Sequence, residues 1–149
     1  MYIRFAKKSD ISFLITGLEK NRIIEERPSD QIQATVRDKK ELKKAIIKKQ
    51  IRVVEDTMHP IAFLYFRTDF SVLYIQKSFV WVDLIYVDEA YREKGIGTML
   101  YNDVIKIARE KDLHTLVIDI FSTNKNSISF HKKLGFQSLY SIYTKQLSY

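Results

Sequence analysis

The chain contains no cysteine in its 149 residues. Disulfide frameworks, thiol nucleophiles and thiolate metal sites are therefore excluded, and the absence suits a reducing cytoplasm. Proline occurs twice and glycine four times, too seldom for a collagen-like or linker-type chain. The three histidines, at 59, 114 and 131, have no metal-ligand spacing, so no metal is expected. No apolar run is long enough to span a bilayer, and Met1-Tyr2-Ile3-Arg4 does not open a signal-peptide core, so no membrane association is expected. Repeats and low-complexity tracts are missing too. What is present, 46% hydrophobic and 13% aromatic residues, suits a single domain over residues 1–149 with a sizeable core.

Two of the four glycines fall in one stretch, Arg92-Glu93-Lys94-Gly95-Ile96-Gly97-Thr98. It follows the apolar run Val80 to Val87 and opens a helix-patterned segment expected to begin near Thr98. A strand, a glycine turn and a helix start make an anion cradle, because backbone N–H groups converge and the helix dipole adds positive charge. Glycines at 95 and 97 let a phosphate approach the backbone without a Cβ in the way. The implied ligand carries phosphate, most simply pyrophosphate. The pattern is R-x-x-G-x-G. It is neither a P-loop nor a dinucleotide fingerprint, whose third glycine is replaced here by Leu100.

Downstream stands Asn124-Lys125-Asn126-Ser127-Ile128-Ser129-Phe130-His131-Lys132-Lys133-Leu134-Gly135-Phe136. Together the two stretches resemble the signatures of the GNAT superfamily, the acyl-CoA-dependent N-acetyltransferases. The first signature, Q/R-x-x-G-x-G/A, is matched at Arg92, Gly95 and Gly97. The second, N-x-x-A/S-x-x-F-Y-x-K-x-G-F, is matched at Asn124, Ser127, Phe130, Lys133, Gly135 and Phe136, with His131 at the tyrosine position. The resemblance is specific over residues 80 to 137 and only a matter of pattern before them.

The remaining elements follow from periodicity. Ile3 to Ala6 reads as a strand, and Ser9 or Asp10 caps a helix from Ile11 to Lys20. Residues 21 to 37, interrupted by Pro28, read as a loop with some helix. Asp38 and Glu41 have capping-box spacing ahead of a helix over 39–49. Ile51–Glu55 and Ile61–Arg67 read as a hairpin, and 78–87 as the central strand. Ile96, Leu100, Val104, Ile107 and Ala108 share a helical face. Leu113–Phe121 reads as a buried strand, Ser127–Leu134 as a helix stopped by Gly135, and Phe136–Leu147 as one or two strands. This order predicts an α/β fold with a mixed sheet.

The resemblance implies a GNAT-like sheet, mostly antiparallel and flanked by helices, whose splayed central strands bind acyl-CoA. Acetyl-CoA is then the cosubstrate and a primary amine, of a small molecule first, the acceptor; the alternatives are acetylation of a macromolecule (a protein N-terminus, a lysine or aminoacyl-tRNA) and a non-catalytic CoA- or RNA-binding regulatory module. A homodimer is a family-level expectation. Arg92, Glu93, Lys94, Gly95, Ile96, Gly97 and Thr98 are expected to hold the pyrophosphate. Backbone groups of Ile85, Tyr86 and Val87 are expected to pair with the pantetheine arm, one of their amides polarising the acetyl carbonyl. Asn124 matches the asparagine that bonds the same arm. Ser127, Phe130 and Lys133 lie on the matching helix, with core packing and a solvated surface as the alternatives for Phe130 and Lys133.

His131 stands where many family members carry the tyrosine acid that protonates the departing thiolate. Either imidazole takes over that role, or the role moves to Tyr86, Tyr140 or Tyr143. Asp83, a carboxylate inside an apolar strand, is the general-base candidate; its alternative is an ion pair with a nearby cation. Strand alternation puts Asp83, Ile85 and Val87 on one face and Val82, Leu84 and Tyr86 on the other. Asp119 is the second base candidate. Glu25, Glu26, Asp119 and Tyr140, with Tyr143 and Tyr149, are candidate acceptor contacts. The net charge of +7 suits the anionic coenzyme. Lys39, Lys40, Lys43, Lys44, Lys48 and Lys49 read either as a solvated helix or as a surface for acidic protein or RNA.

Overall fold

The apolar runs assemble into one five-stranded sheet in the order β1-β2-β3-β4-β5. The structure is a computed structural model and describes residues 1–69 and 78–148; Tyr149 lies outside the described residues. The strands are β1 (Tyr2–Phe5), β2 (Ile51–Asp56), β3 (His59–Arg67), β4 (Val80–Val87) and β5 (Leu116–Ile118). The first three pairings are antiparallel and β4–β5 is parallel, so the sheet is mixed as the element order predicts. The helices are α1 (Ile11–Ile24), α2 (Val36–Ile47), α3 (Ile96–Glu110) and α4 (Lys125–Lys133).

Alternating strand residues feed two cores on opposite faces of the sheet. Val53, Phe63, Leu84 and Tyr86 pack with Leu14 of α1 and with Leu42 and Ala45 of α2. Val54, Ala62, Leu64, Val80 and Val82 pack with Ile96, Leu100, Tyr101 and Val104 of α3, and Phe130 and Leu134 join this side. Gly17 is buried, and a Cβ there would stand 2.4 Å from Phe63 and 2.8 Å from Tyr86, so only glycine lets α1 lie this close to the sheet.

Several boundaries differ from the sequence expectation, each for a local reason. α1 runs on to Ile24, one turn past Lys20. The capping box of α2 is Thr35–Asp38 rather than Asp38–Glu41: extended Thr35 accepts from the Asp38 amide and gives its own amide to the Asp38 carboxylate. The helix expected over 39–49 therefore starts three residues earlier. In the β2–β3 hairpin Thr57 and Met58 both have positive φ, a two-residue turn that lets the strands run closer to it than expected. Pro60, which has no N–H, pairs opposite Glu55 where the β2–β3 register shifts. α3 begins at Ile96, ahead of Thr98, and α4 at Lys125. Gly135 has φ +90 and stops α4 as expected.

Two corrections concern strands. β5 covers only Leu116–Ile118 of the expected Leu113–Phe121. Phe136–Leu147 forms no strand among the described residues. Its tyrosines and aliphatics suit a pleated surface, but strand propensity acts only when a partner edge is in register. The six lysines of α2 and its C-terminal turn are all exposed, in keeping with a solvated helix.

Candidate active site

The β4–β5 ladder ends at Val82 opposite Ile118, while β4 stays paired with β3 through Val87 opposite Ala62. Among the described residues, the β5-facing edge of β4 is open from Asp83 to Val87. This is the expected splay, and Ile85, Tyr86 and Val87 line it. The chain leaving β5 is held elsewhere: the Thr123 hydroxyl donates to the Glu25 carbonyl at 2.8 Å, and the Arg27 guanidinium lies 4.7 Å from the Phe121 ring centroid. The loop after α1 thus pins the diverging strand away from β4.

A register shift between Tyr65 and Phe66 puts Asp83 in a β-bulge, since Tyr65 opposes Leu84 and Phe66 opposes Val82. The bulge corrects the expected alternation. Val82, Ile85 and Val87 belong with the α3 side, whereas Leu84 and Tyr86 belong with the α1–α2 side. A bulge adds one residue, and every side chain beyond it changes face.

Asp83 sits at the vertex of the fork, in a two-bond pair with Arg67, Nε–Oδ2 and Nη2–Oδ1 both at 2.6 Å. The ion-pair alternative is therefore the observed one. Burial pushes the Asp83 carboxyl above its ordinary value, and Arg67 opposes that rise. Asp119, the first residue after β5, is exposed and near enough for its charge to push the same way. The same desolvation raises the nearby Tyr65 phenol to about 12. Arg67 was not foreseen; its only signal was a cation one strand away from a carboxylate.

In front of the fork lies the cradle. Glu93 and Gly95 have φ of +62 and +76, which turns successive backbone groups the same way. The first α3 bond runs from the Met99 amide to the Gly95 carbonyl at 2.9 Å, so the amides of Ile96, Gly97 and Thr98 have no helical acceptor. A Cβ on Gly95 would meet nothing within 4 Å, so the backbone there is open to a ligand. Arg92 donates to the Val87 carbonyl at 3.0 Å and Lys94 to the Ala90 carbonyl at 2.9 Å, so both cations are tethered beside the cradle. Gly97 has a second reason to be glycine, since a Cβ there would stand 2.8 Å from Phe130 and hold α4 off α3. Phe130 follows its packing alternative, and Lys133 is exposed.

Asn124 is buried and caps α4, its Oδ1 accepting from the Ser127 amide at 3.1 Å. His131, the acid candidate, is 2% exposed. Its Nδ1 is 2.7 Å from the Ser127 carbonyl, and its Nε2 is 2.7 Å from the Tyr101 hydroxyl. A carbonyl only accepts, so Nδ1 carries the proton and Nε2 accepts from Tyr101. Neither nitrogen is left to face a leaving group; His131 fastens α4 to α3 beneath the cradle. Tyr101 could have been read from its place beside Leu100 on the apolar face of α3. Burial lowers the His131 pKa. The fold therefore holds fewer protons there than the unfolded chain, and stability is lost as pH falls through about 6.5. His131→Phe is expected to flatten the change in urea midpoint between pH 7.5 and 5; equal slopes in both proteins would contradict this.

The acceptor candidates do not converge. Glu25 is engaged by Asn21 at 2.7 Å and by Arg27, and Glu26 is exposed with φ +57. Tyr140 and Tyr143 lie on the exposed C-terminal segment. The Tyr86 hydroxyl, in contrast, is buried without a hydrogen-bond partner among the described residues, its ring edge-on to Phe13 and tilted against Phe63. Those residues contain no cluster able to hold a metal ion and no helix long and apolar enough to cross a membrane.

Known N-acetyltransferases resemble the chain in sequence or in fold. An L-methionine sulfoximine/L-methionine sulfone acetyltransferase of Pseudomonas aeruginosa is 42% identical over 53 residues, 36% of this chain and 31% of that one. The chain thus matches less than a third of that relative. The PaiA N-acetyltransferase of Thermoplasma acidophilum, solved with coenzyme A, superposes with a TM-score of 0.77 at 20% identity, over 91% of this chain and 89% of that one. An aminoglycoside antibiotic 6'-N-acetyltransferase of Acinetobacter haemolyticus superposes with a TM-score of 0.73 at 20% identity, over 99% and 100%. At such identities the superpositions establish the fold. The acetyltransferase (GNAT) family model matches residues 21–136, most of the chain, and the protein belongs to that family.

Proposed function

We propose that residues 1–149 form one acyl-CoA-dependent N-acetyltransferase domain acting on the primary amine of a small molecule. The observation that carries this reading is the open edge of β4 at residues 83–87, which ends at the unsatisfied amides of the α3 cradle. An extended pantetheine arm fits the first and a pyrophosphate the second. Acetyl-CoA supplies the thioester, whose C–S bond breaks as the amine nitrogen bonds to the acetyl carbon, and coenzyme A leaves as its thiolate and takes a proton from water. The chain's own groups then have separate tasks. Amides of Ile96, Gly97 and Thr98 hold the pyrophosphate beside Arg92 and Lys94. A free amide among Ile85, Tyr86 and Val87 donates to the carbonyl oxygen as negative charge develops there. Asp83, paired with Arg67, takes the proton released by the amine, directly or through water.

The small-molecule reading is supported by the methionine sulfoximine relative. The test is thiol release from acetyl-CoA with amino acids, amino acid analogues, polyamines, aminoglycosides and peptide amines near pH 8. Release with one small-amine class is expected. Release with peptide amines alone would overturn the small-molecule reading, and no release with any acceptor, including aminoacyl-tRNA, would overturn the activity. Asp83→Asn is expected to lower kcat at least tenfold, about 1.4 kcal/mol of barrier, while leaving the acetyl-CoA Kd unchanged. An unchanged kcat would remove Asp83 from the chemistry.

A further inference from the structure

Among the described residues, a cavity of about 160 Å³ opens between α2 and the end of β3. Its walls include Glu41, Lys44 and Lys48 of α2 and its C-cap, Tyr65 and Arg67 of β3, and Asp69 beyond that strand. It lies on the sheet face that carries α1 and α2, since Tyr65 packs on the core that holds Leu42, Ala45 and Leu84. Helix α3 and its cradle belong to the other face.

The strand register sets this cavity beside the fork. Tyr65 opposes Leu84 and Arg67 opposes Trp81, so the two β3 residues stand on either side of Asp83. Arg67 is at once a wall of the cavity and the partner of Asp83, through its two bonds of 2.6 Å. A molecule in the cavity is therefore one guanidinium away from Asp83. A coenzyme that follows the open edge of β4 to the α3 cradle does not need this space.

The charges select the occupant. Lys44, Lys48 and Arg67 are balanced by Glu41, Asp69 and, behind Arg67, Asp83. A polyamine would meet the cations, and a dianion would meet the carboxyl groups, whereas a zwitterion satisfies both signs. The lysines can turn to such a ligand. Their pairs, Lys44–Glu41 at 3.6 Å and Lys48–Asp69 at 3.3 Å, join side chains that are all more than half exposed, and exposed pairs of this kind are weak. Burial pushes the Tyr65 phenol up to about 12, so it stays protonated and adds a neutral donor. The cavity is smaller than the roughly 300–1,000 Å³ typical of drug-sized ligands, so it suits a single amino acid rather than an aminoglycoside.

We infer that this cavity is the acceptor site and that the acceptor is a small free amino acid. Its carboxylate is held by Lys44, Lys48 and Arg67, and its amine is presented to Asp83 at the open edge of β4. Only Arg67 separates the two positions, so the amine and the carboxylate lie close together in the molecule. This inference rests on the acetyl-transfer reading and adds no step to it.

The test sets amino acids against their amides and against the amines left by decarboxylation, in the same thiol-release assay. Conversion to the amide removes the negative charge and keeps the amine. It also makes the amine less basic, so more of it is neutral, and a preference for the acid cannot come from a larger share of free amine. At least one amino acid is expected to exceed its amide by about tenfold or more in kcat/KM. Joining Lys44→Gln to Lys48→Gln is expected to remove most of that preference, chiefly by raising KM for the amino acid about fivefold, with the acetyl-CoA Kd unchanged. Both lysines are exposed, so the fold should not suffer. Equal use of acid and amide, or a preference untouched in the double variant, would overturn this inference and leave acetyl transfer standing. No release with any amine would overturn the acetyl-transfer reading, and this inference with it.

Discussion

Gly95→Asp is expected to weaken acetyl-CoA binding by at least tenfold while leaving the fold intact. Gly95 is the N-cap of α3, has φ +76 and has open space where a Cβ would stand. Aspartate is among the few side chains that tolerate this backbone region, and its carboxylate suits a helix N-terminus. The substitution therefore costs little stability, about 1 kcal/mol or less. The ligand suffers instead. A carboxylate within about 4 Å of a phosphate repels it by roughly 4 kcal/mol at an effective dielectric near 20, several times the 1.4 kcal/mol of a tenfold change. Gly95→Asn separates the two effects, since it keeps the shape without the charge and is expected to bind within about threefold of wild type, under roughly 0.7 kcal/mol. Calorimetric titration with acetyl-CoA measures both. If the Asp and Asn variants bind alike, the cradle does not hold the pyrophosphate.

The largest stability effect is expected far from the fork. Arg4 of β1 reaches Asp10 through Nη1 at 2.7 Å and Nη2 at 2.9 Å, and Glu55 of β2 through Nε at 2.5 Å. Both carboxylates are buried. Arg4→Met leaves the Asp10 charge in the protein without its cation, and removing one partner of a buried pair costs about 3 kcal/mol. For a chain of this size that is a fall in Tm of about 6–12 °C. The pH dependence gives the sign. Burial would raise the Asp10 pKa, but bonds from Arg4 and from the Lys7 amide more than reverse this and hold it below the ordinary value. Its stabilising contribution is therefore complete above about pH 4 and lost as pH falls through the native value. In Arg4→Met that acid-side loss should shrink. A variant with unchanged Tm and an unchanged acid slope would show that the network contributes nothing.

The sequence disclosed what rests on local backbone chemistry. Gly95 and Gly135 are at positive φ because the loop before α3 and the end of α4 demand it, and both were readable as turn or stop signals. The mixed sheet followed from the order of the elements. The site was legible as far as the two signatures reach. What stayed hidden is long-range. The bulge at Asp83 depends on how β3 and β4 pair, and no periodicity within β4 announces the change of face beyond it. Asp83 and Arg67 are 16 residues apart, and Tyr101 and His131 are 30 apart. Asp83 and His131 were readable as candidates, but their partners Arg67 and Tyr101 were not. The C-terminal segment failed for a related reason: its composition suits a strand, but the partner edge lies outside that segment.

The most direct test of the central claim is amide NMR of the wild-type chain titrated with coenzyme A. If the fork and the cradle form the acyl-CoA site, shifts concentrate on Ile85–Val87 and Glu93–Thr98. Weaker changes are then expected in α4, where Phe130 rests on Gly97. Binding whose shifts lie elsewhere, or no binding up to millimolar coenzyme, would contradict the account.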